Sequence, residues 1–318
     1  MPSLTPIIEA YLSMLNGNKT EKEFLEEKLI TFGGQAYPKF GHVVIMAGGA
    51  GSGKGFVQEE LVGLEGRTFD VDKLKLLSTR IPAIIRRVDQ ELGIDITKLD
   101  VRKNRLALKD PDNVSLLHEI VGDALNIPDR RQQAFFTSVL AADSDRKPNI
   151  IFDVTLKDLR KLSNISRSVS NIGYQKKNIH IVWVVNNIEV AIAQNMSRDR
   201  TVPAEILVNT HRGVSATMQD ILGLGEDLKR YMDGDIVFAF NQIDVDTNLE
   251  KSRIPPEMRG TFSIKGDKKI KGGKRLTKAD YVYVKRSGQT VTPLSQLSDD
   301  LKRKVDSYVP PNVSWIDS

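Results

Sequence analysis

Eight consecutive residues, Gly48-Gly49-Ala50-Gly51-Ser52-Gly53-Lys54-Gly55, carry the most specific chemical signal in the chain. They fit the pattern G-x-x-x-x-G-K. Glycines let a backbone curl so that its N–H groups converge on phosphate oxygens, and a lysine at this spacing reaches the β- and γ-phosphates. A helix starting at the end of the loop adds the positive end of its dipole. Nucleotide binding is therefore expected at Gly48, Gly49, Ala50, Gly51, Ser52, Gly53, Lys54, Gly55 and Phe56, with Lys54 also serving the chemistry. The usual pattern has Ser or Thr after the lysine, as a ligand for Mg²⁺. Here Gly55 and Phe56 follow, and neither has a hydroxyl. Magnesium must then be held by phosphates, water and carboxylates, or by another loop hydroxyl such as Ser52.

Three further groups of residues suit phosphoryl transfer. Asp70-Val71-Asp72 closes a short apolar segment. A carboxylate at the mouth of a parallel sheet can accept the proton of an attacking hydroxyl, and Asp72 is the candidate base. On an alternating strand Asp70 and Asp72 would share a face. Asp72 could equally cap the next helix. Asp153 ends the apolar run Asn149–Val154 and is the candidate metal-site acid; a solvated strand-end acid is the alternative. Arg198 and Arg200, and Arg212 further on, flank the segment NMSRDRTVP, where a lid would supply positive charge over the transferring group. Surface arginines at a solvated helix end would look the same.

The elements that must position these residues can be read from hydrophobic periodicity. Short apolar runs predict strands at His42–Ala47, Thr68–Val71, Asn149–Val154, Ile179–Val185 and Asp235–Phe240. Helical patterns fall between them: Phe56–Leu64, Asp72–Leu108 broken at Pro82 and Gly93, Val114–Leu125, Arg130–Leu140, Leu156–Ile172, Ile188–Met196 and Pro203–Leu222. Strands alternating with helices predict an α/β fold with a doubly wound, five-stranded, mainly parallel sheet covered on both faces. Residues 1–40 read as a helical extension, 41–245 as the body with an insertion at 73–147, and 246–318 as an appendage. Within the appendage, Thr261–Ile264 and Tyr281–Lys285 suggest a hairpin, and 294–307 a short helix.

Composition limits the classes open to the chain. It has 318 residues, 40% hydrophobic and 27% charged, as in ordinary globular proteins. With no cysteine, disulfides, thiolate metal sites and cysteine nucleophiles are excluded. The four histidines (His42, His118, His180 and His211) are scattered along the sequence. No apolar run approaches the ~20 residues of a membrane helix, and no signal peptide is recognised, so a cytoplasmic location is expected. The net charge of +5 is uneven. Lys251–Ser287 holds twelve basic and three acidic residues, a local +9, which leaves −4 for the rest. Such a stretch suits a nucleic-acid backbone, with Tyr281 and Tyr283 as possible stacking faces, or it is a solvated loop. An acidic partner would suit it equally.

Taken in order, GGAGSGKG, FDVDKLK, NIIFDVTL and RDRTVPAEILVNTH resemble the zeta-toxin type of P-loop kinase, near the adenylate and polynucleotide kinases. The resemblance spans about residues 41–241. It implies an ATP and Mg²⁺ site, with Asp72 matching the family's general base and Arg198 or Arg200 its lid arginine. Asp153 stands where the family often has Glu, and Gly55 departs from its Ser/Thr. G-K-G also resembles adenylate-kinase-type loops, in which Thr comes next; here Phe56 does. The first expectation is an ATP-dependent kinase for a small metabolite or nucleotide. A nucleic-acid kinase that uses the basic stretch, and a nucleotide-binding protein without turnover, are the alternatives.

Overall fold

The computed structural model describes residues 30–32, 35–37, 40–58, 62, 64, 66–140, 146–197, 201–243, 259–263, 276–309 and 314–316. They divide into two compact units, one comprising Ile30–Phe69, Asp143–Arg198 and Val202–Ser318, the other 70–142 and the short segment ending at Thr201.

The first unit is built on the sheet. β1 (Ile30–Phe32) and β2 (Gln35–Tyr37) pair antiparallel as a small sheet of their own. This corrects the helical reading of residues 1–40 for its last part; residues 1–29 lie outside the described residues. The expected strands follow as β3 (Val43–Ala47), β4 (Arg67–Asp70), β5 (Ile150–Asp153), β6 (Ile179–Asn186) and β7 (Ile236–Ile243). β3 and β6 are buried along their whole length, which is why they read as continuous apolar runs rather than alternating ones. β3 runs parallel to both β5 and β6, and β6 parallel to β7.

Among the described residues the sheet has seven strands, in the order β4-β5-β3-β6-β7-β9-β8, not the five expected. β8 (Arg259–Ser263) and β9 (Leu276–Lys285) come from the basic appendage, and β9 pairs antiparallel with both β7 and β8. They cover a β7 edge that would otherwise present unpaired backbone groups. The hairpin was legible, but its attachment to the sheet was not. The C-terminal segment also belongs to this unit. Ser298 caps the helix Asp299–Tyr308, and fully buried Trp315 stacks on Trp183 at 5.4 Å and donates its indole N–H to Ser215 Oγ.

Successive strands lie on opposite sides of β3, with β4 and β5 on one side and β6 and β7 on the other. The carboxyl end of β3 is therefore a topological switch point, where ligands of open α/β sheets collect. The glycine-rich loop emerges there. It leads into α1 (Lys54–Val57); most of the rest of the helix expected at Phe56–Leu64 lies outside the described residues.

The second unit is helical. Asp70 Oδ1 accepts the Lys73 amide at 2.9 Å and starts α2 (Val71–Ser78). Pro82 opens α3 (Pro82–Leu92), which ends at Gly93 with φ 66°. Asp110 caps α4 (Pro111–His118), which runs into a π-helical turn at Glu119–Ala124 before α5 (Ile127–Leu140). Leu74, Ile84, Val88, Leu108, Leu117 and Ile120 form its own core. Among the described residues no helix is long and apolar enough to cross a membrane.

Candidate nucleotide and phosphoryl-transfer site

The loop after β3 is held by its carbonyl groups. Lys54 Nζ donates to Gly48 O at 3.0 Å and to Gly49 O at 3.4 Å. His211 Nε2 lies 2.9 Å from Ala50 O, and because a carbonyl only accepts, the imidazole is the donor. Asn186 Nδ2 donates to Gly51 O at 3.1 Å. Asn241 Nδ2 donates to Ser52 O at 3.0 Å and to Gly53 O at 3.4 Å. Six consecutive carbonyls, Gly48 to Gly53, are thus bonded to four side chains. With the carbonyls committed, the amides of Gly49, Gly51, Gly53 and Gly55 have no acceptor among the described residues. Amides without partners at a curled loop make an anion-binding concavity.

Two glycines are required by what surrounds them. Gly53 takes φ 87°, a left-handed conformation costly to side-chain-bearing residues, and a Cβ there would come 2.6 Å from Asn241 Nδ2. Gly49 lies against the His211 ring, 2.2 Å from where its own Cβ would stand.

Lys54 Nζ also lies 3.5 Å from Asp153 Oδ1, at the end of β5, so the loop lysine and the strand-end acid do come together. Asp153 is partly exposed. Beyond it the chain passes through Leu156, buried and at φ 56°, an uncommon conformation for a non-glycine residue. α6 (Leu159–Asn171), capped by Asp158, follows. A cleft of about 440 Å³ opens here, lined in part by Thr155, Lys157, Arg160 and Lys161.

Ser52 Oγ is buried with no hydrogen-bond partner among the described residues, and Phe56 packs against the core cluster that includes Val57 and Val62. The described loop therefore offers no exposed hydroxyl beside the lysine. Among the described residues no three acidic or histidine side chains gather as a metal site. That donor set fits an ion carried by nucleotide phosphates and water, with Asp153 as the protein carboxylate.

The other expected residues are placed as follows. Asp72 is not on a strand with Asp70: β4 ends at Asp70, and Asp72 sits in the first turn of α2, exposed, with Lys75 Nζ 3.5 Å away. Asp70, not Asp72, is the helix cap. Asp72 belongs to the helical unit and Lys54 and Asp153 to the sheet unit. Arg198 and Arg200 lie outside the described residues. The flanks of their segment are tied: α7 (Ile188–Ser197) carries Asn195, whose Nδ2 donates to Val202 O at 2.6 Å and whose Oδ1 accepts the Val202 amide at 2.9 Å. Arg212 lies in α8 (Ala204–Gly223) and is partly buried. Tyr283 is no stacking face: it is buried, with the Arg286 guanidinium 3.2 Å over its ring.

Sequence reasoning missed His211, Asn186 and Asn241. His211 closes the quoted RDRTVPAEILVNTH segment, and each asparagine is the polar residue after an apolar strand run, at the sheet's ligand end. Burial is the main cause holding the His211 imidazole below its ordinary pKa; the Lys54 charge adds to it, and the bond to Ala50 O opposes it.

No family model matches the sequence, and no curated protein does. Solved structures do show likeness. The chain is similar to a structure from the molecular and structural characterization of the PezAT chromosomal toxin–antitoxin system of Streptococcus pneumoniae, with 13% identity, a TM-score of 0.42, and 74% of this chain and 75% of that chain covered. It is also similar to the AvrRxo1-ORF1:AvrRxo1-ORF2 complex with sulphate ions, at 10% identity and a TM-score of 0.39, covering 86% and 78%. The same complex with ATP matches at 9% identity and a TM-score of 0.37, covering 87% and 79%. These likenesses assign no residue a role.

Proposed function

We propose that the chain is an ATP-dependent phosphotransferase that moves the γ-phosphate of ATP to a hydroxyl or phosphate acceptor, a small metabolite or a nucleotide. The observation that carries this is the loop whose carbonyls are tied to side chains while glycine amides stand without acceptors, with Lys54 beside Asp153. Phosphoryl transfer needs positioning and charge neutralisation more than covalent chemistry. The loop amides and Lys54 hold the β- and γ-phosphates. Asp153 contributes to the Mg²⁺ shell, and the ion would neutralise phosphate charge. Asp72 takes the acceptor's proton, and Arg198 and Arg200 add positive charge over the transferring group. Lys157 and Lys161, with Arg160 paired to Asp158, leave the lining of the cleft beyond Asp153 net positive and suited to an acceptor with anionic character. The test is an acceptor screen with γ-labelled ATP against metabolite pools, DNA and RNA. Label on small molecules that disappears with Lys54→Ala supports the proposal, and label on nucleic acid alone would move it to the nucleic-acid kinase reading.

A second reading is nucleotide binding without turnover. It is favoured by the described loop itself, which carries no exposed hydroxyl next to Lys54 in sequence: Ser52 Oγ is buried and Phe56 is packed. ATP binding with no labelled acceptor in the same screen would establish it.

A further inference from the structure

Anion binding by a glycine-rich loop demands two things of its backbone. The amides must face the phosphate, and the carbonyls, which would repel it, must face away. Glycines permit that arrangement but do not enforce it. In this chain three side chains outside the loop hold four of its carbonyls.

Asn186 ends β6 and Asn241 lies on β7, and the two are direct partners in the parallel register of these strands. Both are buried, at 1% and 0% exposure. Their amide nitrogens donate to Gly51 O and to Ser52 O and Gly53 O, so the carbonyl partners fix which way each carboxamide points. His211, buried at 4%, donates to Ala50 O, and the preceding Thr210 Oγ1 accepts the Ala50 amide at 3.3 Å. Both polar backbone groups of Ala50 are therefore held by adjacent residues of α8.

We infer that Asn186, Asn241 and His211 are positioning residues of the nucleotide site, holding the Ala50–Gly53 carbonyls away from the phosphate position so that the Gly51 and Gly53 amides face it. The inference rests on the reading of the loop as a phosphate cradle. Their placement on β6, β7 and α8 makes the cradle's shape a property of the sheet and helix rather than of the loop alone.

The probe is inorganic tripolyphosphate, which has the phosphates of ATP without its base or sugar, titrated calorimetrically alongside ATP into the full chain. Asn241→Leu and His211→Phe keep approximate shape and remove the donor, Asn186→Ser shortens it, and His211→Gln keeps a donor. Loss of one buried hydrogen bond is worth about a factor of ten in affinity. The expected result is tripolyphosphate affinity about tenfold weaker in Asn241→Leu and His211→Phe and near wild type in His211→Gln, each measured on folded protein. A purely structural role would lower the melting temperature and leave the affinity of the folded protein unchanged. If Asn241→Leu does not fold, His211→Phe and Asn186→Ser carry the test. Wild-type binding with every folded donor-loss variant within twofold of it would overturn the positioning role alone. A wild-type chain that binds neither tripolyphosphate nor ATP would overturn the nucleotide reading itself.

Discussion

The His211 imidazole occupies the space a side chain on Gly49 would need: a Cβ built at Gly49 falls 2.2 Å from His211 Cδ2 and 2.5 Å from Nε2. The glycine and the histidine are thus matched across the loop. Gly49→Ala is expected to destabilise the protein by about 1–3 kcal/mol through overpacking and to weaken ATP binding by shifting the loop. Adding His211→Ala should return part of the stability loss, because the methyl then has room, while losing the donor to Ala50 O keeps ATP binding weak. A double-mutant cycle on melting temperature and ATP affinity measures that coupling.

Stability should depend on pH through His211. Its folded pKa is lowered, mainly by burial, so the unfolded chain binds the proton more readily. The stabilising contribution is complete above the unfolded value, about pH 6.5, and is lost as pH falls below it toward the folded value. Urea titrations of wild type at pH 7.5 and pH 5.5 should show the loss, and His211→Gln should remove that part of the slope.

Asp70 and Asp72 should separate cleanly. Asp70 caps α2, so Asp70→Ala is expected to cost about 1 kcal/mol of stability. Asp72, exposed in the first turn, is the proposed base. Asp72→Asn should lower phosphate transfer by about 10²–10⁴-fold, with ATP affinity and melting temperature close to wild type. Full-rate transfer by Asp72→Asn would remove the base assignment.

The ion pair between Lys54 and Asp153 gives a third contrast. Lys54→Ala removes the group expected at the transferring phosphates and should cost about 10²–10³-fold in kcat/KM. Asp153→Asn should mainly change the magnesium dependence of the rate, read as the Mg²⁺ concentration giving half-maximal activity. An unaltered magnesium dependence would argue against Asp153 as a metal-site residue.

The basic appendage cannot be removed whole without consequence. Deleting 251–287 takes away β8 and β9 and bares the edge of β7, which carries Asn241, so aggregation and weakened ATP binding are expected. Deleting 265–275, between the two strands, spares both. If DNA or RNA affinity and its salt slope survive that shorter deletion unchanged, the lysines there are not a nucleic-acid contact.

Much of this organisation is local and could be read along the chain. β3 is apolar throughout, and β5 and β6 are apolar apart from Asp153, His180 and Asn186, because their faces are covered, and such runs stand out in a sequence. Gly48–Lys54 is legible because its conformation demands glycine and its chemistry demands lysine. β8 and β9 were harder to place. Lys-, Gly- and Thr-rich strands carry little burial signal, and what they pair with depends on the edge available. The boundary before Asp72 falls one residue earlier than expected because strand and helix meet at Asp70, where a side-chain cap rather than hydrophobic alternation decides it.

The sequence by itself determined a phosphate-type loop at the end of a buried strand, in an alternating α/β chain, with Lys54 as its charged group. Only the tertiary structure decided which residues hold that loop in shape. His211 reaches Ala50 across 161 positions, Asn241 reaches Ser52 across 189, and Asn186 reaches Gly51 across 135. A backbone carbonyl leaves no mark in the sequence of the side chain that will bond it. The pairing exists only once β6, β7 and α8 have packed around the loop, and until then each of these residues is one polar residue among many.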